Sequence, residues 1–478
     1  MFRPPTGPMG PFGPRRFDDR INTLGAMKHL FSAVAVGIAL LAFPASVAAH
    51  QLSKLFESRL PLAVYLIGAA SAVGLSFVFV LAREVPTATP DEPGADRPVP
   101  AALRTILRLV GLIGWAWIMV QGALGGESDA EVSRLFTWVY GWVGVALVSA
   151  FVFPIWTWLN PFSTLHDLGA SVLRRLGVSP VPSAAYPAAL GRWPAVVGFG
   201  AIVWLELVAF GAGSRTLALV VGGYSVYTLA MMAQYGRRTW TEHGEVFSVW
   251  FALLRRLAPW AHVLAGDEGT IRRRSFGSGL LAGGWTRADV VLIGLGTGSI
   301  LFDGLSQTQI WVETFGLPAA IPQTLILAGF MTLIVGAALV VSRLVGVAAT
   351  GAGLLPIAIG YLAAHYFTYL IIEGQRIAVA ISNPLQRGAD YFGTASFEPT
   401  GTWLPPALVW GLQFVAVVGG HMVGAWAGHV VASREAGQHG LSTARQIRMR
   451  QVPLAVVMVA LTTLTLWSLG QALFIAGS

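Results

Sequence analysis

The sequence has 478 residues, of which 55% are hydrophobic and only 11% are charged, whereas a soluble domain usually carries about 25% charged residues. This composition excludes an ordinary soluble domain, and the net charge of +8 lies between apolar segments, where it indicates membrane orientation and not nucleic-acid binding. Cysteine is absent, so disulfides and thiolate ligands are excluded, and a metal would need His, carboxylate, amide or backbone ligands.

The N-terminal region divides into two segments ahead of the main domain. Residues 1–26 are rich in Pro and Gly and are expected to be disordered. Residues 27–49 have the charged start, short apolar core and small-residue end of a signal peptide. The alternative is an uncleaved first membrane helix, and Met27 is a second candidate start. Residues 50–478 are then predicted to form one membrane-embedded domain.

Ten later segments are long and apolar enough to cross a bilayer, which takes about 20 residues. Because lipid offers no partners to open backbone groups, we expect all of them to be helical. The predicted fold is therefore an all-α, polytopic integral membrane bundle of about ten transmembrane helices. The segments are 60–82, 103–124, 135–158, 193–213, 215–235, 286–306, 322–345, 352–375, 403–433 and 452–474.

The connecting segments differ sharply in positive charge. If His50 lies outside, the inside segments contain 20 arginines and the outside segments only six basic residues. The positive-inside rule then predicts a multi-pass protein of the bacterial inner membrane with both mature ends outside.

Three inner segments have features of their own. Residues 240–262 combine aromatic residues with Arg255 and Arg256, which predicts an amphipathic helix on the inner surface. Residues 156–175 are predicted to turn at Asn160 and then to form a second amphipathic helix of the same kind. Residues 86–100 are rich in proline and are predicted to form a disordered linker.

Ionisable residues inside spanning helices are costly and are functional candidates by default. His365, Tyr369, Glu373 and Arg376 follow one another at helical spacing. This spacing predicts a polar ladder in which Tyr369 orients His365 and Glu373 handles a proton. The alternative is a packing network in which Glu373 only pairs with Arg376.

His421 lies beside a stripe formed by Gly420, Gly424 and Gly428. Such a stripe allows another helix to approach closely, so His421 is predicted to face protein. His429 is eight residues further along, about 12 Å away on the helix axis. It is predicted to lie at the inner interface and not to share an ion with His421.

Two carboxyl groups complete the set of membrane candidates. Asp303 falls at the outer end of its predicted helix, where Gly304 would let the chain turn, and Glu206 has no partner nearby in the sequence. With His365 and Glu373, they predict an intramembrane polar site that opens to the outside.

Two further histidines, His50 and His243, are weaker candidates for a functional role. Cleavage after Ala49 would leave His50 at the N-terminus, where its amine and imidazole could chelate copper with one more histidine. The alternative is that His50 only begins a short outer segment. On a helix, Glu242 and Glu245 would share one face and His243 would not, and we interpret this group as the acidic start of a surface helix.

Several stretches together resemble a family of polytopic membrane proteins commonly labelled fenitrothion hydrolase. The resemblance covers nearly the whole mature chain, although Gln51 replaces a glycine that is usual after the first histidine. It implies hydrolysis of an organophosphate triester and draws attention to His50, Asn160, Asp303, His365, His421 and His429. The stretches are AHQL, RLPLAVYL, SFVFVL, WTWLNPF, FDGLSQTQIW, AHYFTYL and GHMVGAWAGH.

Two classes of function remain open. The first is cation or metal handling or proton-coupled transport. The second is a membrane-embedded hydrolase in which a divalent transition metal, copper or zinc, activates water. In both, His365, Glu373 and Asp303 would act chemically and His365, His421, Asp303 and His50 would bind metal. The sequence lacks nucleotide-binding and serine-hydrolase motifs, so the expected partners are lipid and a small molecule or ion, with no nucleic acid or nucleotide.

Overall fold

The structure is a computed structural model that describes residue 74 and residues 94–126, 131–209, 213–263, 269–316, 319–438 and 444–469. The predicted extension, signal peptide, first spanning segment and His50 lie outside the described residues. The predictions made for them stay predictions.

The described chain is mainly helical. Its helices are α1 (Ala101–Leu124), α2 (Val132–Phe151, with a π-helical stretch at Leu135–Gly144), α3 (Trp156–Leu159), α4 (Pro161–Arg175), α5 (Trp193–Leu207), α6 (Ser214–Tyr235), α7 (Arg237–His243), α8 (Val246–Leu254), α9 (Arg287–Ser306), α10 (Gln309–Phe315), α11 (Ala320–Val345), α12 (Val347–Glu373), α13 (Ile377–Ser382), α14 (Pro406–Gln438) and α15 (Ala444–Leu469).

Eight of the described helical segments are long and apolar enough to span a membrane, which confirms a multi-pass helical bundle. They correspond to eight of the nine predicted spans that the described residues cover. The exception is α5, whose 15 residues extend only about 22 Å at ~1.5 Å per residue. This is less than the roughly 30 Å thickness of the hydrocarbon region.

Long helices that run in alternate directions give the bundle two distinct ends. At one end, Arg192 at the start of α5 pairs with Asp289 at the start of α9, and Arg450 donates to the carbonyl of Leu344. The connecting segment 236–287 alone brings eight arginines to this end, which we call the arginine-rich end. The opposite, Asp303 end contains the C-terminal turns of α5, α9 and α12.

Helices α9 and α12 form the centre of the bundle. In α9, 89% of the most apolar 18-residue window is buried, and in α12 with its continuation the fraction is 83%. By contrast, α1 and α11 bury only 11% and 22% of theirs, because they present most of their apolar surface outwards. Most polar residues of α9 and α12 therefore contact protein.

The connecting segments at the arginine-rich end correct two sequence predictions. Three short antiparallel strands form there, β1 (Asp96–Pro98), β2 (Trp260–His262) and β3 (Thr270–Arg273), with β3 in the centre. Part of the predicted linker 86–100 is thus a strand, because Asp96–Pro98 pairs with backbone groups of β3. Residues 86–93 are outside the described chain.

Residues 240–262 do not form one surface helix. The chain breaks between α7 and α8 at Gly244 and Glu245, and the largest side chains of α8, Trp250 and Phe251, are each only 2% exposed. The aromatic pattern reflects burial against the bundle and not contact with a lipid surface. Residues 156–175 do turn at Asn160, between α3 and α4, and continue as a helix, as the sequence predicts.

The glycine stripe of α14 packs against α12, as the sequence predicts. A Cβ atom on Gly424 would lie 2.3 Å from the carbonyl oxygen of Gly353, and one on Gly420 would lie 2.5 Å from that of Pro356. Only glycine allows the two backbones to approach this closely.

Replacing Gly424 with alanine should therefore separate α12 and α14. We expect the free energy of unfolding in detergent to fall by about 1–3 kcal/mol, the usual effect of overpacking a tight interface. Gly419→Ala is the matched control on the same helix, because its new methyl group would meet no atom within 4 Å. Equal stability of the two variants would contradict the close packing.

Candidate functional site

Four titratable side chains from three helices meet near the Asp303 end of the bundle. They are Glu206 on α5, Asp303 on α9, and His365 and Tyr366 on α12. We call them the Asp303 cluster. The sequence separates Asp303 from His365 by 62 residues and Glu206 from Tyr366 by 160, so only the tertiary fold brings them together.

Asp303 is the hub of the cluster. Its Oδ2 atom lies 2.9 Å from Nε2 of His365 and 3.1 Å from the hydroxyl of Tyr366. Its Oδ1 atom accepts a hydrogen bond of 2.6 Å from the side-chain amide of Gln307, one turn further along the chain. Both oxygens of the carboxyl group are therefore engaged by donors.

Tyr366 connects Asp303 to the second carboxyl group. Its hydroxyl lies 3.3 Å from Oε1 of Glu206, and the residue is only 6% exposed. The other oxygen of Glu206, Oε2, is buried and has no hydrogen-bond partner among the described residues. Glu206 thus has a single described partner, whereas Asp303 has three.

Access to the cluster is restricted but not closed. The side chains of Asp303 and His365 are each 17% exposed. Tyr366 lies deeper, at only 6% exposed, whereas Glu206 is partly buried like Asp303 and His365.

Local helical geometry accounts for this arrangement. His365 and Tyr366 are consecutive on α12 and therefore leave the helix about 100° apart, so one contacts Asp303 directly and the other lies between the two carboxyl groups. Gly304 permits the close approach, because a Cβ atom there would lie 3.1 Å from the hydroxyl oxygen of Tyr361 and 3.3 Å from Cε1 of His365. The predicted turn at Gly304 is wrong, since α9 continues to Ser306.

Further polar atoms extend into the bundle beside the cluster. The hydroxyl groups of Tyr361, Thr465 and Ser468 and the Nε2 atom of His421 are buried without a hydrogen-bond partner in the described part of the chain. The Nδ1 atom of His421 contacts the carbonyl of Val417 at 2.7 Å. Buried polar atoms in native proteins normally have a partner, and ordered water supplies it where protein does not.

The remaining ladder residues form no hydrogen bond with Asp303 or Glu206 among the described contacts. Glu373 forms an ion pair with Arg376, the local alternative that the spacing had left open. Tyr369 is 38% exposed, and its ring contacts that of Tyr366 with centroids 6.1 Å apart. The hydroxyl that contacts Asp303 belongs to Tyr366, which the sequence reasoning missed although it adjoins His365.

Two other candidates lie towards the arginine-rich end. The Nδ1 atom of His429 lies 2.8 Å from the side-chain oxygen of Gln451, and the residue is 8% exposed. Asn160 caps α4 by accepting from the backbone amides of Phe162 and Ser163. These contacts serve helix packing and capping.

Asn160 also donates to Glu245, and here the sequence interpretation is wrong. Glu245 does not share an exposed helix face with Glu242: it is fully buried and caps the N-terminus of α8. Its carboxylate accepts from the side chains of Tyr224, Trp156, Asn160 and Ser248 and from two backbone amides.

The predicted metal ligands do not gather in the described part of the chain. Within it, no three His, Asp or Glu side chains lie close enough together to hold a metal ion. Asp303 and His365 would supply two ligands, and a third would have to come from outside the described residues, where His50 lies. Asp303 and His365 alone provide fewer than the three or four protein ligands of a usual zinc site.

Two features of the site, the Gln307 side chain and the contact between Tyr366 and Glu206, had weak or no signals in the sequence. Gln307 could have been found from its spacing of four residues from Asp303, since both lie at the end of one helix. The contact between Tyr366 and Glu206 had no sequence signal, because it depends on how α5 and α12 pack.

Comparison with known proteins adds no family to this description. No protein family model matches the chain. Neither the curated proteins nor the solved structures contain a significant match to it.

Proposed function

We propose that this chain is a bacterial inner-membrane transporter in which the Asp303 cluster binds protons and exchanges them for a cation or couples them to another small substrate. Two features support the proposal. The chain is a multi-pass helical protein, and its central helices place ionisable groups, rare inside membranes, in direct contact with one another.

The observation that carries the proposal is the single hydroxyl group between two carboxyl groups. The hydroxyl of Tyr366 has one proton and can donate it to Asp303 or to Glu206, but not to both. If both carboxyl groups were ionised, one of them would face an oxygen lone pair in a largely buried site. Asp303 and Glu206 therefore hold one proton between them.

Glu206 is the group that holds this proton. Asp303 receives hydrogen bonds from His365, Gln307 and Tyr366, which favour its ionised form. Glu206 contacts only the Tyr366 hydroxyl, and its buried second oxygen has no described partner, which favours the neutral acid. The chain of contacts then runs from a proton donor through a hydroxyl to a carboxylate, as proton transfer requires.

The distribution of charge supports an orientation for this path. The positive-inside rule assigns the arginine-rich end to the cytoplasm, so the Asp303 cluster would face the outside. A cation that enters from that side and binds Asp303 would compete with the proton that the two carboxyl groups share.

Infrared spectroscopy of the protein in lipid nanodiscs tests the protonation of Glu206 without a known substrate. At neutral pH, we expect the carbonyl band of a protonated carboxylic acid, and we expect Glu206→Gln to remove it. Glu313→Gln is the matched control, because Glu313 is an exposed carboxylate at the same end of the bundle. A band that survives in Glu206→Gln would refute the proposed proton chain.

The hydrolase suggested by the family resemblance is the second candidate. The contact of 2.9 Å between Asp303 and His365 favours it, because a carboxylate that orients an imidazole is a common arrangement for a general base. Turnover of a chromogenic phosphotriester, lost in His365→Ala, would support this candidate over transport. A metal in that reaction would require ligands beyond the described residues.

A further inference from the structure

A second site lies at the arginine-rich end, far from the Asp303 cluster. Here the start of α5, the end of α7 and the start of α9 surround a cavity of about 240 Å³. Arg192, Trp193, His243, Thr286 and Arg287 contribute to its lining. Arg287 lies 16 residues before Asp303 on α9, which places the two about 24 Å apart along the helix axis.

One arginine of the cavity is fixed in position. Arg192 pairs with Asp289 through a contact of 2.7 Å between Nη1 and Oδ1. Asp289 is fully buried and also forms a capping box with Thr286 at the start of α9. The ion pair with Asp289 neutralises the charge of Arg192 and fixes the position of its side chain in the wall of the cavity.

The second arginine, Arg287, has no charge partner among the described residues. The side chain of Arg287 is exposed and forms no hydrogen bond or ion pair with any residue that the structure describes. His243 lies across the cavity, and its Nδ1 atom contacts the carbonyl of Thr239 at 3.0 Å. That contact requires the proton on Nδ1 and leaves Nε2 available to a ligand.

Neighbouring guanidinium groups add to the positive potential. Burial, with smaller contributions from the nearby charges of Arg274, Arg256 and Arg192, lowers the pKa of Arg255 to about 10. The pKa of Arg256 is also lowered to about 10, chiefly by burial, with Asp289 opposing the shift and Arg192 and Arg274 contributing to it. Positive charges at this end thus repel one another, and a bound anion would relieve the repulsion.

We propose that this cavity binds a phosphate group. Its volume lies below the roughly 300–1,000 Å³ of pockets for drug-sized ligands, so it suits a small anion or the headgroup of a larger molecule. Guanidinium groups donate several hydrogen bonds in a fixed plane that matches phosphate oxygens. The phosphate belongs either to an anionic phospholipid or to a free phosphate ion, and both present the same chemistry.

The test measures thermal unfolding of delipidated protein. In one arm, inorganic phosphate is added to the protein in detergent, with chloride at equal ionic strength as the reference. In the other arm, the protein is placed in phosphatidylcholine nanodiscs with or without phosphatidylglycerol. We expect the unfolding temperature to rise in at least one arm, and the arm that responds identifies the source of the phosphate.

Arg287→Gln should raise the ligand concentration needed for half of the stabilisation at least about tenfold. Arg343→Gln is the matched control, because Arg343 is exposed at the same end but does not line the cavity. Arg287→Lys should have an intermediate effect, since it keeps the charge but loses the planar donors. The proposal is refuted if neither arm stabilises the protein or if Arg287→Gln behaves like Arg343→Gln.

Discussion

Replacing Asp303 with asparagine is expected to lower cation-dependent proton movement by at least about 100-fold, in line with the usual contribution of a positioned proton-transfer group. The asparagine keeps the size of the side chain but removes the charge that His365, Tyr366 and Gln307 surround. The measurement uses everted membrane vesicles acidified by respiration, in which a pH-sensitive dye reports proton efflux after sodium, potassium, calcium or zinc salts are added.

Glu313→Gln again provides the control, because it neutralises an exposed carboxylate at the same end of the bundle. It should retain the rate of the unaltered protein. Wild-type rates in Asp303→Asn would exclude transport through the cluster. Failure of every cation to move protons in the unaltered protein would contradict cation–proton exchange and would leave coupling to another small substrate or the hydrolase.

Local patterns in the sequence were sufficient to predict most of the fold. Apolar length predicted the long helices, and the spacing of Gly420, Gly424 and Gly428 predicted the close packing of α14. The pairing of Glu373 with Arg376 also follows from helical spacing alone. Each of these features depends on residues within one helix or on a surface that one helix presents.

The composition of the site was only partly predictable, because it depends on contacts between helices. The cost of burying charge identified Glu206, Asp303 and His365 as candidates. It could not show that Asp303 contacts His365 directly or that Tyr366, and not Tyr369, joins the two carboxyl groups. Tyr366 and Tyr369 lie three residues apart on α12, and only the packing of α12 against α9 decides which of the two contacts Asp303.

The same limit explains the error at Glu245. Sequence spacing assigned it to an exposed face with Glu242, whereas Gly244 ends α7 and Glu245 begins the next helix. A carboxylate at a helix N-terminus is favourable wherever it lies, so the local signal was the same for an exposed and a buried residue. Burial was determined by α3, α4 and α6, which supply the donors.

Replacing Glu245 with leucine is therefore expected to destabilise the protein strongly, by about 3–5 kcal/mol in the free energy of unfolding. The substitution removes the N-cap of α8, which alone is worth about 1 kcal/mol. It also leaves the partly buried hydroxyl groups of Tyr224 and Ser248 without the acceptor that Glu245 provides, each at a cost of about 1–3 kcal/mol unless the site relaxes.

Denaturant unfolding in detergent, followed by circular dichroism, measures this effect. Glu242→Leu is the control, because Glu242 precedes Gly244 by two residues and, among the described residues, forms only an exposed ion pair with Arg238, which contributes about 1 kcal/mol or less. The free energy of unfolding of Glu245→Gln should lie between those of Glu245→Leu and Glu242→Leu. Its amide oxygen still accepts hydrogen bonds, but its NH2 group faces side chains that are themselves donors. If Glu245→Leu were as stable as Glu242→Leu, the buried carboxylate would not organise the arginine-rich end as its contacts indicate.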